Sequence, residues 1–285
     1  MELVLVGRRP LAEAAYLAGL GSNSLVIDAT RLAFACPLDL AGIVATAHGA
    51  ASDSIRVTLK LPTDPNVASY LQRMDVLRQM PSRTRIHGRV PPDARGDRRG
   101  RLMEVTALNV QTVDDMSEKV GPLVTSFYES CSDQTGAAIF RACSELMSNA
   151  TEHGASTRGA FMAAQVYSGD TTDGPRLEFA VCDTGIGVMN HLRRNERYAH
   201  IRRDELAIAK ALEKGVSGIG GDLRGNGLND AVEDARSTGR IDLQIRSGLG
   251  EVRVTGSATD RRESLHDRPD QTSGTWAWLT HTLRL

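Results

Sequence analysis

The stretch Gly136 to Ser156, GAAIFRACSELMSNATEHGAS, constrains this chain most, because its apolar and polar spacings both fit one helix. Ile139, Cys143, Leu146 and Ala150 fall on one face and give the helix a side to bury. Glu145, Asn149 and His153 stand at i, i+4 and i+8, so their side chains line one edge of that face. A carboxylate and an amide one turn apart suit a site that holds a metal ion and a water together. The alternative is a core helix with a solvated polar edge, and this helix alone leaves both open.

Two glycine-rich segments follow. Leu177 to Gly187, LEFAVCDTGIG, alternates like a strand and delivers Asp183 into a Gly-x-Gly turn. Lys214 to Leu228, KGVSGIGGDLRGNGL, is a deformable glycine run opening into a helix. A Rossmann reading fails because these glycines follow no strand, and a Walker reading fails because no Gly-Lys-Ser/Thr occurs.

A helix with Glu-x-x-x-Asn, a strand ending Asp-x-Gly-x-Gly, and Gly-x-Gly-Leu before a helix together resemble the GHKL (Bergerat) ATP-binding superfamily over roughly Val120 to Leu285. SELMSNATEHG looks most like its anti-sigma-factor serine kinases, and Gly274-Thr275-Trp276 resembles the ending of histidine-kinase ATPase domains. The resemblance implies an α+β two-layer sandwich binding ATP and Mg2+. It implies that Asp183 reads adenine, with Gly185 and Gly187 letting the backbone approach the purine. Asn149 becomes a magnesium ligand and Glu145 the general base, facing water or a protein hydroxyl. It makes a phosphate lid of Gly218, Gly220, Arg224, Gly225, Gly227 and Leu228, with Lys214 a further phosphate partner. His153 as a zinc ligand lacks a suitably spaced second ligand.

Ahead of this unit, strands and helices alternate over residues 1–82: Glu2 to Val6, Ser24 to Asp28 and Ser54 to Leu61 as strands, Leu38 to His48 as an apolar helix. The expected fold is a small α/β domain. Val26 to Ile43, VIDATRLAFACPLDLAGI, resembles a STAS domain, the module that anti-sigma-factor kinases bind. Cys36-Pro37-Leu38-Asp39 stands where phosphorylatable members carry a hydroxyl, so docking, dimerisation or sensing is the expected role. Arginine-, proline- and glycine-rich residues 83–110 read as a loop or linker, with one more strand near Glu104 to Val110, and Thr112 to Ser130 reads as a helix. Arg193 to Glu213 reads as largely helical, Arg240 to Ser247 and Glu251 to Thr255 as strands, and Ser257 to Ser273 as a long loop.

A formal net charge of -1 gives no global pull toward nucleic acid or an anionic membrane, although arginines cluster in 83–101 and 193–203. The four cysteines form no C-x-x-C pair, which favours reduced thiols. No apolar run reaches a membrane span and the N-terminus lacks a signal-peptide pattern, so a cytoplasmic location is expected. The function expected is that of a Mg-ATP-binding regulatory protein, an ATPase or serine/threonine kinase of the GHKL type whose nucleotide state controls a protein partner or a homodimer. A non-catalytic, nucleotide-dependent interaction module is the alternative. A DNA-dependent ATPase is least expected, since no transducer segment follows the fold.

Overall fold

In a computed structural model, residues 1–13, 23–93, 100–109, 113–128, 133–152, 159–168, 175–217 and 227–283 are described. They form a mixed α/β structure with one parallel and one antiparallel sheet.

The first sheet, in the order β1-β2-β3-β4, is built from β1 (Glu2–Arg8), β2 (Ser24–Phe34), β3 (Arg56–Lys60) and β4 (Arg85–His87), every pair parallel. Its crossovers carry α1 (Pro10–Glu13), α2 (Pro37–Ser52), α3 (Pro65–Arg73) and α4 (Val76–Gln79). Sequential parallel strands joined by right-handed crossovers put their helices on one face. Accordingly Leu5, Leu25, Ile27, Val57 and Leu59 are buried beneath the helices, while the alternate positions Val4, Val6, Arg56 and Arg85 are exposed. Strand β2 runs six residues past Asp28, where the sequence suggested that it ended.

The second sheet has the order β5-β6-β7-β9-β8, all antiparallel: β5 (Leu102–Leu108), β6 (Ala160–Tyr167), β7 (Arg176–Asp183), β8 (Arg240–Ser257) and β9 (Asp260–Thr282). One face carries α5 (Val113–Tyr128), α6 (Asp133–Glu152), α8 (Asp204–Ala211) and α9 (Gly227–Thr238), and a short α7 (Val188–Leu192) follows β7. The other face meets α2.

Helix α2 is apolar all round, the pattern of a helix with no side left for water. It lies between the sheets, and one continuous core joins Leu25, Ile27 and Ile43 to Phe161, Ala163, Ala180, Cys182 and Trp276. The contact with β9 is close because residue 42 is glycine: a Cβ there would stand 2.9 Å from Leu11 and 3.1 Å from the Trp276 ring. At the start of α2, Asp39 is fully buried and accepts hydrogen bonds from the backbone N–H groups of Cys36 and Leu11, both at 2.8 Å. Cys36 is buried with it, so the segment compared with a phospho-acceptor loop is an interior helix cap.

Two readings are corrected. Residues 83–110 hold β4 and β5, which pair in different sheets, and β5 is fastened to the helical layer by Val105 N–H on the Met74 carbonyl at 3.0 Å. Arginine and proline content hid β4, whose pairing is made by the backbone, whereas β5 overlaps the strand expected near Glu104 to Val110. Residues 257–273, read as a loop, are largely β9: β8 and β9 form one long hairpin turning at Ala258-Thr259. The side chains of its outer arm are mostly exposed, so no apolar alternation marks it in the sequence. Within Arg193 to Glu213, expected to be largely helical, α8 is preceded by a 3-10 turn at Glu196–Tyr198 rather than by further α-helix.

The fit at α2 gives a paired expectation. Gly42→Val forces the helix off Trp276 and destabilises the protein by about 1–3 kcal/mol. Gly49→Ala, whose added methyl reaches ordinary contact with Thr184 at 3.5 Å, stabilises it by about 0.5–1 kcal/mol. Urea unfolding midpoints measure both.

Candidate functional site

Strand parity sets the position of the site. Along β7, Ala180 and Cys182 face α2, while Val181 and Asp183 face the opposite helical layer. There a cavity of about 460 Å³ opens between the sheet and α6, α7, α8 and α9. Its walls include Glu145 and Asn149 from α6, Asp183 at the end of β7, Gly187 at the start of α7, Gly227 and Leu228 at the start of α9, and Thr275 from β9. Segments far apart in sequence thus meet in one cavity.

Asp183 is 2 % exposed. Its carboxylate accepts the backbone N–H of Gly185 at 2.7 Å and that of Thr275. Burial outweighs those bonds and pushes its pKa up to about 7. The surrounding turns demand glycine. Gly274 has φ +77°, and a Cβ there would collide with Asp183; Gly187 also has φ +77°, and a Cβ there would stand 2.7 Å from Ser247 Oγ. Ser247 Oγ donates to the Gly274 carbonyl at 2.7 Å and accepts from Val188 N–H at 2.9 Å, locking β8, β9 and α7 together around Asp183.

At the other side, Asn149 Nδ2 donates to Glu145 Oε1 at 3.3 Å, which leaves the amide oxygen as acceptor for a cation. Burial raises the pKa of Glu145, the Asn149 bond opposes the rise, and nearby Glu152 adds to it. Gly227 lies hard against the Glu145 carboxylate, with no room for a Cβ. Asn229 Nδ2 holds the Leu212 carbonyl at 2.9 Å, and Asp204 Oδ2 accepts Leu249 N–H at 2.9 Å. These bonds fix α9 and α8, two walls of the cavity.

Gly185 braces Asp183 from outside the lining. Lys214 faces Asp230 in the first turn of α9 at 3.7 Å. His153, Gly218, Gly220, Arg224 and Gly225 lie outside the described residues. Sequence reasoning gave no role to Ser247, Ile245, His191 or the α8 residues Ile208 and Ala211, since none belongs to a motif; strand pairing and helix packing bring them to the cavity. Compared with known proteins, the chain matches no family model and no curated sequence.

The acidic side chains on the described walls are Glu145, Glu152 and Asp183, and no Lys or Arg stands among them. Among the described residues no three His, Cys, Asp or Glu side chains are grouped to cage a metal ion. The arrangement therefore suits a ligand with a hydrogen-bond donor for Asp183 and an end that brings its own cation to the oxygen donors of Glu145 and Asn149.

Asp183 should also leave a mark on stability. Its native pKa of about 7 lies above the unfolded value of about 3.9, so the native state binds the extra proton between them. Stability then falls as pH rises through that window. Asp39, pushed up to about 6 by burial, adds to the slope at the lower end. Asp183→Asn is expected to flatten the curve between pH 6 and 7 by about 1 kcal/mol per pH unit, read from urea unfolding across that range.

Proposed function

We propose that the chain is a Mg-ATP-binding regulatory protein whose antiparallel sheet and outer helices form a Bergerat-type nucleotide site. The observation that carries this reading is the convergence of Glu145, Asn149, Asp183, Gly187, Gly227 and Leu228 on one cavity. Its volume of about 460 Å³ falls within the range of small-molecule sites.

In this reading Asp183 accepts the exocyclic amino group of adenine, held in place by the N–H groups of Gly185 and Thr275. The apolar walls Val181, Ile245 and Ala277 exclude water around the base. Asn149 Oδ1, with Glu145 beside it, would hold the magnesium ion that accompanies the phosphates, and that ion would supply charge neutralisation there. The first N–H groups of α9, a helix of 12 residues, supply partial positive charge on the same side. Glu145, with its pKa raised by burial, serves as the base toward a water or a protein hydroxyl.

The first sheet is read as a STAS-like partner layer. Helix α2 links it to the site, since Gly49 lies against Thr184, the residue after Asp183. The alternative, a nucleotide-dependent interaction module without turnover, draws support from the position of Glu145, held by Asn149 and pressed against the start of α9 as an anchor.

Calorimetric titration with Mg-ATP tests the site. Asp183→Asn should abolish binding, and unchanged affinity would overturn the assignment. Glu145→Ala should retain nucleotide while losing phosphate release or transfer to a protein acceptor. If wild type binds ATP but neither activity occurs, the interaction module is the correct reading.

A further inference from the structure

The segment joining α7 to α8, here termed the rim, connects two helices that line the cavity, while none of its own residues does. Between 193 and 203 it carries Arg193, Arg194, Arg197, Arg202 and Arg203 against a single acid, Glu196, in a chain whose net charge is -1. All five arginines are exposed. Arg203 pairs with Glu205, and Arg202 turns back onto the carbonyls of Ala199 and Ile201. Arg193, Arg194 and Arg197 make no ion pair among the described residues.

The rim has a folded base. Leu192, Tyr198, Ile201 and Ala207 form a small core of their own beneath it. Asn195 caps the 3-10 turn by accepting Arg197 N–H at 3.1 Å, and its Nδ2 holds the Ser217 carbonyl at 3.2 Å. Concentrated positive charge on such a base costs self-repulsion that Glu196, Asp204 and Glu205 offset only in part, and an anionic partner would relieve the remainder. One helical turn beyond Arg203, Leu206 is 46 % exposed, an apolar side chain beside the arginines. Arginine is enriched at protein interfaces and an exposed leucine offers apolar contact area, whereas a nucleic-acid backbone asks for charge alone.

We propose that this rim docks an acidic segment of a partner protein, with Leu206 as apolar anchor and Arg193, Arg194 and Arg197 as the charge-reading groups. The proposal rests on the nucleotide reading only in placing the docked segment beside ATP. The cavity's own acids, Glu145 and Glu152, repel such a segment from the interior and keep it at the rim.

The test uses the full chain and a fluorescent peptide rich in Asp and Glu around one Leu and one Ser. Controls are its lysine counterpart, single-stranded oligothymidylate and phosphatidylserine vesicles. Wild type is expected to bind the acidic peptide in preference to the controls, and added salt to weaken it. The triple change Arg193→Glu, Arg194→Glu, Arg197→Glu should weaken that binding about tenfold or more, and the corresponding triple Gln variant by an intermediate factor. Both should leave Mg-ATP affinity unaltered, so a general folding defect is distinguished. Equal peptide binding by wild type and the Glu variant, absence of peptide binding by wild type, or preference for the oligonucleotide or the vesicles would overturn the proposal. Failure of wild type to bind Mg-ATP would sink the nucleotide reading alone, because peptide binding is scored without nucleotide.

Discussion

The burial of α2 between two sheets is the constraint on which the rest of the structure depends. A parallel sheet normally needs cover on both faces, yet this one is covered on a single face by helices that the second sheet also uses. The second sheet in turn has both faces dry where α2 crosses it: β7 is buried along almost its whole length. Neither layer closes its core alone. The buried acid of α2, Asp39, is tolerated because two backbone N–H groups point at its carboxylate.

This arrangement gives the candidate site its rigidity. Asp183 stands at the end of a strand gripped from one side by α2 and bounded on the other by the cavity. A carboxylate held at such a depth is largely stripped of bulk water, which is why its proton affinity rises and why a hydrogen-bond donor entering the cavity finds a strong acceptor. Gly187, Gly274 and Ser247 are the geometric cost of putting it there: each meets a requirement set by the Asp183 turn rather than by its own strand.

What the sequence disclosed follows from the range of the forces involved. The Glu145 and Asn149 helix, the Asp183 strand end and the Gly227-Leu228 helix start were readable because each is specified within a few residues. The apolar character of α2 was readable too, but an all-round apolar helix does not say what covers each side. Ser247 could not be read, since its two hydrogen bonds go to residues distant in the chain. The outer arm of β9 was missed because its side chains are exposed and only backbone pairing with β8 defines it. Strand β4 was obscured by a basic, proline-containing stretch whose composition resembles that of a linker, whereas β5 was readable near Glu104 to Val110.

The contact of Trp276 with Gly42 bears on how the polypeptide is made. Helix α2 leaves the ribosome long before the indole that seals it, which belongs to β9. Until β9 is synthesised, a greasy cylinder stays open on one flank, and pairings of such long sequence separation form slowly. Final consolidation must therefore wait until β9 has been made, and the nascent chain passes through an interval in which chaperone protection has physical value.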